Sequence, residues 1–208
     1  MKILVDTGQQ KKKHDLKHAC MERLGAELNV VPLPVGDYVL VDENVEDVLS
    51  RKKNRGIDVK KLDLLGSYKV SVDTKRDIQE AIGNICGSQH DRFRDEVILA
   101  QRNQIKLYIL VENADGVSNL DDLDEWENPR AKMKKWIRGA DGSRKQVFVS
   151  PKATKGTSLA KAMRTMQKEY GVQFLFCRPE ETGRKILDLL GAMEDGKKEN
   201  QHVQRTQG

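Results

Sequence analysis

Aromatic residues are scarce in this chain: four Phe, four Tyr and two Trp, 5% of 208 residues. Proteins that hold single-stranded nucleic acid without sequence preference stack successive bases on exposed rings. So few rings exclude an extended stacking platform. Cysteine is scarcer still. Cys20, Cys86 and Cys177 lie far apart and are odd in number. They show neither zinc spacing nor a disulfide framework, which points to a reducing interior, cytoplasmic or nuclear. No apolar run approaches the length of a membrane span, and residues 1–30 lack the apolar stretch and cleavage site of a signal peptide. Gly83, Gly87 and Gly156 compose no phosphate loop with a Walker lysine, and no helicase motif is present, so nucleotide hydrolysis is unsupported.

Charge is what the chain has. Charged residues make up 33% and the net charge is +5, a balance that favours an anionic partner. The length suits one domain with a real core, or a domain with a small appendage. Short strands are expected at 2–6, 36–41, 70–75, 106–113 and 172–177, and an extended stretch at 28–35 pushed to a sheet edge by its prolines. Between them helical spacing runs over about 14–24, over 77–103 with a break at Gly87 and Ser88, near 157–170, and from Pro179 to about Met193. Strands interleaved with helices argue for an α/β fold with a central sheet covered on both sides. Residues 42–68 read as charged and irregular with helical pieces, and the tail at 196–208 as polar and disordered.

The stretch "VSVDTKRD", residues 70–77, concentrates the chemistry. Side chains alternate along a strand, so Val70, Val72 and Thr74 share one face while Ser71, Asp73 and Lys75 share the other. One reading is an ion pair on an edge strand. The other joins Asp73 and Lys75 to Asp37, which follows Gly36, and to Asp6, which ends the first strand. An acid, a variable gap, then acid–any–lysine suits phosphodiester cleavage with a divalent cation. Two carboxylates and a backbone carbonyl are hard oxygen ligands for Mg²⁺ or Mn²⁺. The lysine can orient water or stabilise the transition state. Taken alone, this pattern matches many sequences by chance.

Its surroundings are more specific. The succession "ILVDTGQQ", "LPVGDYVL", "VSVDTKRDIQEAIGNI", "SQHDRFRDEVILA" and "KLYILVEN" resembles the nuclease domain of the XPF family of structure-specific DNA endonucleases. The likeness is close over residues 2–113 and looser over 157–193. It implies a restriction-endonuclease-like fold, a central mixed sheet flanked by helices, and metal-dependent cleavage near junctions, flaps or forks. On matching positions it implies Asp37 and Asp73 as metal ligands with the Thr74 carbonyl, Asp6 as the first acidic position and Lys75 as catalytic lysine. Arg92 falls on the family's helix arginine and Glu96 on its partner acid, sharing a helix face at i and i+4. Pairing of subunits through this domain, as a homo- or heterodimer, is a further expectation of the likeness.

Three departures accompany the resemblance. Asp73 stands for the family's glutamate and Thr74 for its arginine, and Asp77 follows Lys75 after one residue rather than three. Asp77 is therefore either a site acid or a helix cap. The third departure is length: 42–68 and 114–156 read as insertions into a nuclease domain spanning 1–195, and the hairpin-rich DNA-binding domain that usually follows is expected to be missing.

The second insertion is polarised. Residues 112–128 hold seven acids and no base, while 129–156 hold nine Lys or Arg and one acid. Either the two runs neutralise each other, or Lys132, Lys134, Lys135 and Arg138 around Trp136 face DNA. His14 and His18, four apart on a helix, read as a solvated face rather than a zinc pair. Lys11–Lys13 and the basic run at 51–61 read either as solvated or as phosphate-touching segments. Two other functions stay open beside the nuclease: a non-catalytic DNA-binding or scaffold subunit, and a restriction-type endonuclease.

Overall fold

Short apolar runs alternating with helical periodicity resolve into a layered α/β molecule in the computed structural model, which describes residues 1–9, 14–138, 140 and 142–193. Lys11–Lys13 and the tail at 196–208 lie outside the described residues. Six strands form the main sheet: β1 (Lys2–Asp6), β2 (Glu27–Val31), β3 (Tyr38–Leu40), β4 (Val70–Lys75), β5 (Lys106–Glu112) and β8 (Gln173–Cys177). Their order is β2-β1-β3-β4-β5-β8. β1 runs parallel to β2, and β4, β5 and β8 run parallel to one another; β3 is antiparallel to both β1 and β4. The sheet is mixed, as expected. β2 is an edge, and Pro32 and Pro34 come after its last residue, where a missing N–H costs no ladder bond.

Each strand feeds two cores, because alternate side chains leave on opposite faces. Ile3, Val5, Tyr38, Val72 and Leu110 pack under α1 (Asp15–Arg23) and α8 (Thr182–Leu189), through Met21, Ile186 and Leu187. Leu4, Val39, Leu107, Ile109 and Val111 pack on the other side. There they meet α2 (Glu43–Asn54), α3 (Ile78–Ile85), α4 (His90–Arg102), α5 (Leu120–Glu125) and α7 (Gly156–Tyr170). Fully burying each such side chain stabilises the fold by roughly 1.5–3 kcal/mol. β4 and β5 lie in the middle of this sandwich. Their apolar character holds the end of β4, with its acid and lysine, in a fixed place.

One expectation sharpens and one gives way. The helical pieces of 42–68 include one regular helix over residues 43–54: Asp42 caps it by accepting the Val45 N–H at 2.9 Å, and Val45, Val48 and Leu49 turn its narrow apolar stripe inward. Three apolar residues among so many charges leave little periodicity to read. The last helix starts at Thr182 rather than Pro179, because Pro179 stands in a turn whose carbonyl accepts the Thr182 N–H at 3.4 Å. The crossover from β5 to β8 carries α5, α6 (Pro129–Lys132), a separate antiparallel hairpin of β6 (Lys134–Arg138) and β7 (Arg144–Phe148), and then α7. Among the described residues no helix is long and apolar enough to cross a membrane.

Candidate active site

The antiparallel pairing of β3 with β4 lays the start of one strand against the end of the other. Asp37 donates its N–H to the Val72 carbonyl at 2.9 Å. Its Oδ2 accepts from both the N–H and the Oγ1 of Thr74, each at 2.8 Å. The turn that delivers Asp37 requires glycine: Gly36 has φ 73°, and a Cβ there would stand 2.1 Å from Ser71 Oγ. Ser71 Oγ is itself committed, donating toward the Val35 and Tyr38 carbonyls at 2.9 and 3.2 Å. Gly36→Ala should therefore destabilise the protein by about 2–4 kcal/mol, combining backbone strain with overpacking. A melting temperature lower by several degrees is expected; an unchanged one would show that the turn has room.

β4 lies between β3 and β5, so Asp73 and Lys75 are not an edge-strand pair. They are 4% and 7% exposed. Lys75 folds back so that its Nζ lies 2.6 Å from Asp73 Oδ2. That oxygen is buried and makes no hydrogen bond of good geometry, so the contact is an electrostatic one. Burial pushes the Asp73 carboxyl well above the usual carboxylate range; Lys75 opposes this, while Asp37 and Glu96 add to it. Burial alone would lower the Lys75 ammonium, but the Asp73, Asp37 and Glu96 carboxylates together overcome it and raise it. Lys75 stays a cation amid acids.

Helix α4 supports this arrangement from above the sheet. Phe93 lies beneath the Lys75 ammonium, 5.0 Å from Nζ to ring centroid. Glu96, one turn on, accepts the Gly36 N–H through Oε1 at 2.8 Å, tying the turn before Asp37 to the helix. Arg92 is exposed and lines the cleft. The "RFRDE" segment thus supplies a cation to the opening, a ring under the lysine and an anchor for the loop.

The two remaining acids have other engagements. Asp6 borders the cleft, but its Oδ1 accepts the Leu33 N–H at 2.7 Å and its Oδ2 the Gly8 N–H at 2.8 Å. Asp77 has the geometry of a helix cap: its Oδ1 accepts the Glu80 N–H at 2.7 Å and its Oδ2 faces Arg76. Glu80 lines the cleft instead, accepting the Arg76 N–H at 2.9 Å. The acid–x–x–Glu spacing of a capping box carried that signal in the sequence.

No sequence motif announces the buried pair on the other sheet face. Lys17 of α1, 5% exposed, is ion-paired with Glu112 at the end of β5 and donates to Thr74 Oγ1 at 3.3 Å. Burial raises the Glu112 carboxyl and Lys17 opposes it. Thr74 therefore links this pair to Asp37, its Oγ1 accepting from Lys17 Nζ and donating to Asp37 Oδ2. His18 is no solvated residue: Nε2 meets the Tyr38 hydroxyl at 2.9 Å, and the ring stacks on His14 at 6.0 Å. Burial lowers its pKa, with Lys17 adding to the effect.

These groups open into a cleft of about 680 Å³ lined by Asp37, Asp73, Lys75, Glu112 and Arg92, with Arg130 at its rim. Its donors fit a hard divalent cation. Asp37, just before β3, and Asp73, on β4, present carboxylates to the cleft, and Asp73 Oδ2 is a buried oxygen whose one close partner is the Lys75 ammonium. Among the described residues no three His, Cys, Asp or Glu side chains form a ready cage. Mg²⁺ does not need one, since it commonly binds through one or two carboxylates and keeps several waters. The hairpin residues Lys134, Lys135 and Arg138, with Lys132 just before them, lie outside this lining. Lys132 pairs with Glu127, whereas Asp121 and Asp124 turn to Arg164 of α7, so the acidic and basic runs do not simply neutralise each other.

A mixed six-stranded sheet, helices on both faces and an acid–acid–x–lysine cluster at the junction of β3 and β4 define a restriction-endonuclease-like α/β protein. The chain belongs to the ERCC4 domain family, whose model matches residues 5–189. Among curated proteins, none matches its sequence. Its fold is similar to that of XPF from Aeropyrum pernix, with TM-score 0.51 and 15% identity over 99% of this chain and 73% of that one. It is likewise similar to XPF from Aeropyrum pernix in complex with DNA, with TM-score 0.53 and 15% identity, covering 94% of this chain and 66% of that one.

Proposed function

We propose that this protein is a Mg²⁺- or Mn²⁺-dependent DNA endonuclease that hydrolyses phosphodiester bonds in branched, flapped or junction DNA. The observation that carries the reading is the convergence of Asp37, Asp73 and Lys75 in one cleft, the last two buried as a 2.6 Å ion pair. Membership of the ERCC4 domain family and the similarity to an XPF solved with DNA support it. Asp37, Asp73 and the Thr74 carbonyl would hold the cation. When bound, the cation would lower the pKa of a water and offset charge growing on the phosphate. Thr74 keeps the Asp37 carboxylate in place through two hydrogen bonds, so its orientation is set before substrate arrives. Lys75, held charged by its neighbours and backed by Phe93, would orient the attacking water or donate to a phosphate oxygen. A scaffold role would leave the costly burial of Asp73 and Lys75 without a purpose.

Incubating the protein with labelled duplex, flap, fork and four-way junction in Mg²⁺, Mn²⁺ or EDTA tests the proposal. Metal-dependent cuts close to the branch are expected. Cuts at a fixed sequence in linear duplex would favour the restriction-type reading, and binding without cleavage in either metal would favour the scaffold.

Arg92 and Arg130 provide a separate check on the cleft as the phosphate track. Replacing both with Gln should weaken binding to every duplex-containing DNA. The slope of log affinity against log salt should also flatten by about 0.9 for each phosphate that is no longer neutralised. An unchanged slope would place the DNA elsewhere.

A further inference from the structure

The two strongly exposed aromatic rings among the described residues, Trp136 at 65% and Phe148 at 50%, belong to one hairpin. Lys134 pairs with Phe148, Trp136 with Gln146 and Arg138 with Arg144 in the β6–β7 register. Alternation puts these six on a single face. That face carries two rings, three cations and an amide, with no acid. Trp136 and Phe148 are diagonal neighbours, about 7–8 Å apart by general sheet geometry. Lys134 Nζ sits 5.0 Å from the Phe148 centroid. On the opposite face Ile137 and Val147 are half-buried and Lys135 and Lys145 exposed, whereas every residue of the aromatic face is exposed to solvent. Scarcity of aromatics along the chain had argued against a stacking surface, and their concentration here reverses that argument locally.

The hairpin is also tied to the cleft. Asn128, buried at its base, donates through Nδ2 to the Thr154 carbonyl at 2.8 Å, closing the segment between them. Its Oδ1 accepts from Gln79 Nε2 at 2.8 Å and from the Arg130 N–H at 3.0 Å. Gln79 and Arg130 both line the cleft. One buried side chain therefore fixes where the hairpin leaves the body, beside the cluster of Asp37, Asp73 and Lys75.

We propose that the Trp136/Phe148 face of the β6–β7 hairpin binds the unpaired nucleotides of branched DNA by stacking, with Lys134, Arg138 and Arg144 on the adjoining phosphates. The inference rests on DNA being the substrate of the neighbouring cleft. Paired bases are already stacked on each other and offer no free ring face, whereas every unpaired base does. A basic surface without rings would hold all DNA alike. The pair of rings supplies a preference for single strands.

Fluorescence anisotropy in EDTA measures the preference without any cleavage, using labelled oligo-dT, a fork with two unpaired arms, and a blunt duplex. Trp136→Ala should weaken oligo-dT and fork binding about tenfold or more, the loss of one base–ring stack, and leave the blunt duplex within about threefold. Trp136→Phe, which keeps a ring, should restore most of the affinity, and Phe148→Leu should reproduce the selective loss if Trp136→Ala melts abnormally. Oligo-dT should quench the tryptophan emission of the wild type, and not that of Trp136→Phe, where Trp126 alone remains. Equal loss on blunt duplex, or no loss on oligo-dT, would overturn the proposal. So would sedimentation showing that the wild type self-associates and Trp136→Ala does not, which would make the face a contact between copies. Single-strand preference without any cleavage would refute the nuclease reading and leave this one standing; cleavage without the preference would do the reverse.

Discussion

Asp73→Asn should abolish cleavage while leaving DNA binding within a few-fold of wild type. The substitution keeps the shape of the side chain and removes one of the two carboxylate ligands proposed for the site. The loss should amount to several kcal/mol of transition-state stabilisation, a rate lower on the order of a thousandfold or more. Stability should fall as well, but by less than the about 3–5 kcal/mol typical of breaking a buried ion pair. Burial already works against the Asp73 charge, so an amide in its place relieves that cost, and Lys75 keeps Asp37 and Glu96 nearby and Phe93 below it. Single-turnover cleavage of a labelled fork beside a thermal melt separates the two effects. A variant that cuts at a tenth of the normal rate in Mg²⁺ would remove Asp73 from the ligand set.

Lys75→Ala should differ in kind. Lysine ligates no cation, so its removal takes away a donor to water or phosphate and not a metal ligand. The rate should fall by about a hundredfold or more, as for loss of one charged oxyanion donor. Mn²⁺ affinity, measured by calorimetry, should equal or exceed that of wild type, because a competing positive charge 2.6 Å from Asp73 is gone. Without metal the variant should be destabilised by about 3–5 kcal/mol, since a buried carboxylate loses the cation paired with it. Added Mn²⁺ should then raise its melting temperature more than it raises that of wild type. Loss of metal binding with a normal rate at saturating metal would make Lys75 a structural partner of Asp73 and nothing more.

Much of the fold was legible because β4 and β5 are written in unbroken apolar or alternating runs. Gly36 and Asp37 were legible as a turn opening a strand and through the likeness of "LPVGDYVL", whereas the positive φ and the close approach that demand glycine there show only in the structure. Arg92 and Glu96 could be placed by resemblance, but the contacts of Phe93 with Lys75 and of Glu96 with the Gly36 amide depend on how α4 packs over the sheet. The Lys17–Glu112 pair joins residues 95 positions apart on α1 and β5, and no local pattern marks it. The extent of α2 was hidden because its inward stripe is narrow and its other faces are charged. The β6–β7 hairpin escaped for a related reason. Its alternation runs between cations and apolar residues on two mostly exposed strands, so no buried face announces it. Asp77 could have been decided from sequence, since Glu80 three residues later is the usual partner of a capping acid.

The single most direct test compares wild type with Asp37→Asn in single-turnover cleavage of a 5′-labelled fork, each in Mg²⁺ and in EDTA. Asp37 is the point where the Gly36 turn, the Thr74 hydrogen bonds and the proposed cation meet, so the variant should keep the fold and lose the chemistry. Cutting by wild type in Mg²⁺ alone, with the variant slower by on the order of a thousandfold, is the expected result. Cleavage that survives EDTA, or that survives the loss of Asp37, would contradict a metal-dependent site at the junction of β3 and β4.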